Sequence, residues 1–380
     1  MLRTPGWLTV IIIMSTILSG CGFSGAYTEA SSAAAAEETH GTGMLELEYA
    51  EAFSIEHYGD GCDLVDIPGS ESFVVADEGE EIPKELSDKT VIRRPVDGIY
   101  LASSSAMDYF RQLGCLNKVG FTGTKPSDWS IDEVRDMVEG GDILYAGKYN
   151  SPDYELLLDG GCRLAIENTM IYHNPEAMEL LIKLGIPVIV ERSSYEKHPL
   201  GRMEWIKLYG CLLGKEEEAE SFFEEQVREL KEITEEKYGK TAAFFYITAG
   251  GYVNVRKPGD YIAKMIELAG GEYILADLEP ANDNASSSMN ISMEEFYMRA
   301  KDADILIYNS NIDGELASLS ELIAKEELFG DFRAVAGGNV WCSEKDMFQE
   351  ATRAGEMIGE LRGIFSGNAD EELKYFHRLD

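Results

Sequence analysis

From Pro95 onward, short apolar runs alternate with segments in which apolar residues recur every three or four positions. The runs at residues 98–102, 163–166, 187–190, 242–247, 304–308 and 339–341 read as buried strands. The segments at 106–113, 131–139, 175–184 and 261–268 read as amphipathic helices. Such alternation predicts parallel sheets covered by helices. About 280 residues is more than one α/β core usually holds, so two lobes are expected. A different pattern precedes them. Runs at 45–49, 53–58, 63–67 and 73–75, separated by Gly-Asp-Gly and Pro-Gly-Ser turn signals, predict a small antiparallel β appendage.

Residues 215–238 place Ala219, Phe222, Phe223, Val227, Leu230 and Ile233 on one face, with no glycine or proline among them. Ten glutamates and four Lys or Arg fill the segment, which reads as a helix with a solvated acidic face. A stiff helix between two α/β halves opposes large hinge motion and places function in a cleft that flexes modestly. The expected fold is therefore α/β: two Rossmann-like lobes joined by one long α-helix, with a small N-terminal β appendage. The expected divisions are 44–90 for the appendage, 94–200 for the N-terminal lobe, 201–239 for the linking helical segment and 240–380 for the C-terminal lobe.

Residues 1–20 hold one charge, Arg3, then an apolar core at 7–18 and the small pair Ser19-Gly20. This reads as a secretion signal, too short for a span of roughly 20 apolar residues. Leu18-Ser19-Gly20-Cys21 resembles the lipobox of bacterial lipoproteins. That resemblance implies acylation of Cys21, a lipidated tether over 21–43, and anchoring at the extracytoplasmic face of the cell membrane. The chain carries 33 Lys and Arg against 69 Asp and Glu, a net charge of −36. Nucleic acid is therefore excluded as a partner, because phosphate binding needs clustered cations. Cys62, Cys115, Cys162, Cys211 and Cys342 are odd in number with no close pair, which predicts buried free thiols rather than a disulfide framework or zinc ribbon.

Six motifs carry a family resemblance. They are Arg94-Pro-Val-Asp-Gly-Ile-Tyr-Leu-Ala-Ser-Ser-Ser-Ala-Met-Asp108, Leu113-Gly-Cys-Leu-Asn-Lys-Val-Gly-Phe-Thr122, Ser151-Pro-Asp-Tyr-Glu-Leu-Leu157, Gly185-Ile-Pro-Val-Ile-Val-Glu191, Leu212-Leu-Gly-Lys-Glu-Glu-Glu-Ala219 and Leu268-Ala-Gly-Gly271. In this order the chain resembles the substrate-binding proteins of ABC importers for iron-siderophore complexes, haem and cobalamin. The resemblance implies capture of an iron complex, a siderophore-like chelate, and its delivery to an ABC-transporter permease. A corrinoid or haem ligand is the alternative within the fold; a secreted hydrolase or a non-transport surface lipoprotein is the alternative outside it. It also implies that Glu155 and Glu294, one per lobe, dock onto the permease, with Glu295 an open alternative to Glu294. A monomer without resident cofactor is expected.

In open α/β sheets ligands sit beyond the carboxyl ends of the strands. That rule nominates Ser104 and Ser105, residues 168–172 and 192–195, Tyr246 and Thr248, Asn309 and Ser310, and residues 343–348. The ligand-binding shortlist is Ser104, Lys148, Tyr149, Met170, Tyr172, Arg192, Tyr195, Tyr246, Tyr252, Asn254 and Phe348. Aromatic, amide and hydroxyl groups suit a large, flat or oxygen-rich ligand. Arg192 stands out because a guanidinium at a strand end can fork onto carboxylate, catecholate or phosphate oxygens. Its alternative is a salt bridge to Glu191 or Glu196. Only His173 and His198 lie near nominated strand ends, too thin a supply for a metal site. The sequence contains no Gly-x-Ser-x-Gly, His-Glu-x-x-His or phosphate-cradling loop, so no catalytic residue is nominated and the protein is not expected to be an enzyme.

Overall fold

Strands β1 (Gly43–Met44), β2 (Ser54–His57), β3 (Cys62–Asp66), β4 (Phe73–Asp77) and β5 (Thr90–Arg94) form a first sheet in sequential order. The computed structural model describes residues 41–59, 61–233, 236–279, 287–370 and 372–380. The first three pairings are antiparallel and β4–β5 is parallel. The period-2 alternation divides this sheet cleanly. Ile55, Val65, Phe73, Val75 and Ile92 belong to the main core, whereas Cys62, Val74, Ala76 and Leu86 form a small cluster on the other face. The appendage is thus welded to the body by one apolar face.

Residues 45–49, expected as a strand, are not one. The backbone there finds acceptors elsewhere. The Glu204 carboxylate accepts the N–H groups of Glu48, Tyr49 and Ala50 at 3.0, 2.8 and 2.8 Å. The Glu196 carboxylate accepts those of Glu51 and Ala52 at 2.9 Å each, plus the Trp205 indole N–H at 2.8 Å. Both glutamates are buried, and ionised acceptors of this kind bind N–H groups more strongly than neutral carbonyls. The chain passes so close that a Cβ at Gly201 would lie 2.7 Å from the Tyr49 carbonyl oxygen.

The second sheet comprises β6 (Ile99–Leu101), β7 (Val119–Thr122), β8 (Leu144–Tyr145), β9 (Leu164–Asn168) and β10 (Val188–Glu191), all parallel, in the order β10-β9-β6-β7-β8. The third comprises β11 (Thr241–Ile247), β12 (Val253–Arg256), β13 (Glu272–Tyr273), β14 (Ser288–Ile291), β15 (Ile305–Tyr308), β16 (Val340–Ser343) and β17 (Phe376–Arg378). Its order is β14-β12-β11-β15-β16-β17, with β13 beside β11. Strands β11, β13, β15 and β16 run parallel; β12, β14 and β17 are antiparallel to their neighbours.

The lobes are connected through helices Pro199–Glu204 and Ile206–Leu213 and the 18-residue helix Glu216–Ile233. Ala219, Phe223, Val227 and Leu230 are buried along the last of these, on the face the spacing predicts. Direct contacts also bind lobe to lobe. The buried Asp108 carboxylate accepts from the Thr352 N–H at 2.8 Å and hydroxyl at 2.6 Å, and Arg111 bridges to Glu350 at 3.1 Å. Gln349 accepts from the Ser130 N–H and hydroxyl, both at 2.9 Å, and donates to the Asp128 carbonyl at 2.8 Å. This seam, together with the linking helices, opposes wide opening.

Candidate functional site

Parallel strands deliver their carboxyl ends to one edge of each sheet, and here the edges of the two lobes face one cavity of about 330 Å³. Ser103, Ser104 and Ser105 follow β6, Asn168 ends β9 with Thr169 after it, and Glu191 ends β10 with Ser194 beyond it. Asn311 arrives after β15, and Phe348 and Gln349 after β16. Arg202, Arg256, Tyr261 and Ser287 complete the wall.

Helix Pro199–Glu204 carries Arg202 and is fixed on its other side by the appendage, through Glu204 and the preceding Glu196. The Tyr109 hydroxyl also holds it, donating to the Arg202 carbonyl at 2.6 Å. The Arg202 guanidinium donates through Nη1 to the Tyr261 hydroxyl at 2.9 Å and through Nη2 to the Phe348 carbonyl at 3.2 Å, and lies 4.9 Å above the Tyr261 ring. Burial works against its charge, but Tyr261, Tyr109, Glu191 and Asp108 together outweigh it and the pKa is raised. Arg256 lies 5.8 Å from the same ring, donates to the Ser287 hydroxyl at 3.2 Å and sits 3.8 Å from Asp260.

Glu191 is buried, accepting from the Ser193 N–H at 2.7 Å and the Ser103 hydroxyl at 3.1 Å. Burial raises its pKa, with those bonds and Arg202 pulling the other way.

Of the shortlisted residues, Ser104 and Phe348 line the cavity. Tyr195 is one bond removed, its hydroxyl 2.6 Å from that of Thr169. Arg192 goes elsewhere: it bonds to the Pro68 carbonyl, in the loop between β3 and β4, and its guanidinium lies 5.7 Å from the Tyr195 ring centre. It has no ion pair with Glu191 or Glu196. Tyr172 turns to the same loop, donating to the Gly69 carbonyl at 3.2 Å with the Ser70 hydroxyl at 3.3 Å. Met170, Tyr252 and Lys148 are exposed, and Tyr149 packs against the outer layer of the N-terminal lobe. Tyr246 faces Asn254 across β11–β12, and Asn254 donates to Asn290 at 2.8 Å.

Arg202, Arg256, Tyr261 and Glu191 were not on the shortlist. Strand-end counting misses three of them because Arg202 and Tyr261 sit on helices Pro199–Glu204 and Tyr261–Leu268 and Arg256 on β12, a strand outside the apolar runs. For Arg202 the available signal was an arginine in His-Pro-Leu-Gly-Arg, shortly after a strand end.

Glu155 and Glu294 are exposed in the first turns of helices Tyr154–Asp159 and Met293–Ala300, capped by Asp153 and Ser292. Neither has an ion-pair partner among the described residues, whereas Glu295 pairs with Arg299 at 3.1 Å. A larger cavity of about 1030 Å³ lies at the opposite, amino-terminal ends of β11, β15 and β16. Arg333 is paired there with Asp304 at 3.2 Å, and Arg378 donates to the Gly338 carbonyl at 2.6 Å. Topology therefore favours the inter-lobe cavity despite its smaller size. The five described cysteines are free, four of them buried. No described helix is long and apolar enough to cross a membrane, and Cys21 lies outside the described residues.

The model of the periplasmic binding protein family matches residues 111–345. An uncharacterised lipoprotein of Methanocaldococcus jannaschii is 26% identical over 324 residues, spanning 80% of this chain and 75% of its own. Among solved structures, a periplasmic binding protein from Veillonella parvula aligns with a TM-score of 0.61 at 14% identity, over 82% of this chain and 100% of its own. A periplasmic haem binding protein from Pseudomonas aeruginosa aligns with a TM-score of 0.57 at 15% identity, over 74% and 97%. At such identities the two solved structures establish the fold alone.

Proposed function

Because the chain belongs to the periplasmic binding protein family, we propose that it is the extracytoplasmic solute-binding lipoprotein of an ABC importer, capturing a siderophore-like iron complex and delivering it to the permease. The observation that carries this reading is the cavity lined from both lobes at the carboxyl ends of their parallel strands. Hydroxyl, amide and guanidinium groups make up most of that lining, beside the Glu191 carboxyl and the Tyr261 and Phe348 rings. They suit an iron centre whose coordination sphere is already occupied by its chelator, leaving an oxygen-rich periphery to be held by hydrogen bonds.

Ser104 and Phe348 touch the ligand in this reading. Met170, Tyr172 and Tyr195, which follow β9 and β10, and Tyr252, which follows β11, form an outer rim for a ligand larger than the cavity. Lys148, Tyr149, Arg192, Tyr246 and Asn254 support that rim. Glu155 and Glu294 dock onto the permease; Glu295, tied to Arg299, is the weaker choice. A carboxylate in a helix's first turn is favoured by the helix dipole, which lets Glu155 and Glu294 stand unpaired until a cationic partner arrives. Cys21 carries the lipid.

Intrinsic fluorescence of the chain from Gly22 onward, titrated in parallel with ferric siderophores, haem, cobalamin and bare divalent metals, tests the reading. Saturable quenching by a ferric chelate is expected. A response to haem or cobalamin alone would sink the iron-chelate assignment. Glu155→Ala combined with Glu294→Ala should abolish uptake while leaving that titration unchanged; unchanged uptake would remove the docking assignment.

A further inference from the structure

Strand β10 is the outermost strand of the second sheet, paired only with β9. In a parallel ladder, alternate residues of a strand bond to the same neighbour. The Ala165 N–H donates to the Pro187 carbonyl at 2.9 Å, so residues 187, 189 and 191 face β9. The backbone N–H and C=O groups of Val188 and Val190 therefore point away from it. Among the described residues, none of these four groups has a hydrogen-bond partner on that side.

A strand edge is normally paired, charged or covered. This one is roofed without being paired. A cavity of about 540 Å³ is lined by residues 185–190 and lies between the edge and the appendage. Phe73 and Ile92, from the inner face of the first sheet, form one wall, and Met178 and Ile182, one turn apart on helix Pro175–Lys183, form the other. Residues 69–72 close it over, tied down where the Tyr172 hydroxyl donates to the Gly69 carbonyl at 3.2 Å. Ile182 is 55% exposed inside this mostly apolar lining, which marks the slot as open.

We propose that the slot takes a single extended segment of a partner protein, which adds to β10 as a sixth strand of the second sheet. Main-chain hydrogen bonds to Val188 and Val190 supply the affinity, and the two walls select the side chains. Successive side chains point to opposite faces of a strand, so one set meets Phe73 and Ile92 and the other meets Met178 and Ile182. Both sets are then apolar. The four residues of β10, at about 3.3 Å each, set an apolar stretch of about four residues. Glu71 on the roof has no ion-pair partner among the described residues and the chain carries a net charge of −36, so Lys or Arg belongs beside that stretch. An acyl chain would cover the apolar walls but leave the four backbone groups dry and unpaired. The sheet edge of a second copy cannot reach β10 while residues 69–72 stay in place. The slot is separate from the inter-lobe cavity and does not depend on which solute is captured there.

The test selects a displayed library of seven-residue peptides on the chain from Gly22 onward, counter-selected on Ile182→Asp, a change at an exposed position. Enriched sequences should hold about four consecutive β-branched or aromatic residues beside Lys or Arg. The most enriched peptide is then titrated by fluorescence anisotropy in three forms: unmodified, and with alternate amides N-methylated in either register. The unmodified form should bind the wild type and weaken about 10-fold or more in Ile182→Asp at an unchanged melting temperature. Methylation in one register should abolish binding, and in the other should leave it intact. No enrichment over the variant, or equal binding of the two methylated forms, would overturn strand addition. Three other results would give the slot to a different occupant and overturn the partner: palmitate binding tighter than every selected peptide, a peptide of residues 22–40 binding as well as the best of them, or dimerisation of the chain that Ile182→Asp abolishes.

Discussion

Arg94 and Arg202 are both buried, 9% and 4% exposed, and their surroundings could hardly differ more. Arg94 sits where the appendage meets the linking helix and binds three carboxylates: Asp63 at 2.6 Å, Asp77 at 2.6 Å and Glu216 at 2.9 Å. Burial works against its charge, and the bonds to Asp77, Asp63 and Glu216 overcome that, so its pKa is raised. Asp63, Glu216 and the Cys211 thiol cluster closely enough to hold a metal ion, but the Arg94 guanidinium already bonds to both acids and lies 3.5 Å from the sulfur. Arg202 has hydroxyl and carbonyl oxygens instead. The lesson is that a buried arginine inside a closed ion cluster fastens two parts of a fold, whereas Arg202 keeps its Nε–H without an acceptor at the wall of the inter-lobe cavity.

The sharpest way to break this comparison is to exchange each arginine for methionine. Arg94→Met should cost about 3–5 kcal/mol in urea denaturation, since Asp63 would remain buried without its cation. Its ferric-chelate affinity should be unchanged. Arg202→Met should cost less, about 1–2 kcal/mol, since it takes donors from the Tyr261 hydroxyl and the Phe348 carbonyl but breaks no direct ion pair among the described residues. If both variants lose stability equally, the distinction falls.

Glu167 offers a third case, a buried carboxyl with no hydrogen-bond partner for either oxygen among the described residues. Burial pushes its pKa up from 4.5 to about 8. Between those values the unfolded chain gives up a proton that the folded chain keeps, so stability falls as pH rises and the loss is complete above the folded pKa. From pH 5 to pH 9 this amounts to on the order of 3–4 kcal/mol. Glu167→Gln should match wild type near pH 5 and exceed it at pH 9. Parallel pH curves for the two proteins would show that the carboxyl finds a partner or water.

A smaller effect should sharpen the role of the appendage behind Arg202. Glu204→Gln weakens three backbone hydrogen bonds and the 3.2 Å pair with Lys207, and should lower stability by about 2 kcal/mol. Faster amide exchange at Glu48, Tyr49 and Ala50 than at β6 would locate the change. Uniform acceleration would mean that the clamp is part of the global core.

Much of the fold was legible. The buried runs became β6, β9, β10, β11, β15 and β16 because both faces of these strands are covered, which leaves an apolar string rather than an alternation. Helices Tyr154–Asp159, Tyr261–Leu268 and Met293–Ala300 begin after Asp153, Asp260 and Ser292, each of which accepts a first-turn N–H. Residues 45–49 had the composition of a strand, but the carboxylate of Glu204, some 155 positions away, took the N–H groups of Glu48 and Tyr49.

Arg192 and Arg202 mark the boundary between the two kinds of information. They lie ten residues apart, and no local pattern distinguishes the one held at the Pro68 carbonyl, 124 residues away in sequence, from the one that lines the cleft. Periodicity and turn signals by themselves determined the two α/β lobes, the acidic helix between them and the β character of the appendage. Tertiary structure alone decided which charges meet counter-charges, because that depends on side chains brought together from distant segments, and no spacing along the chain records those meetings.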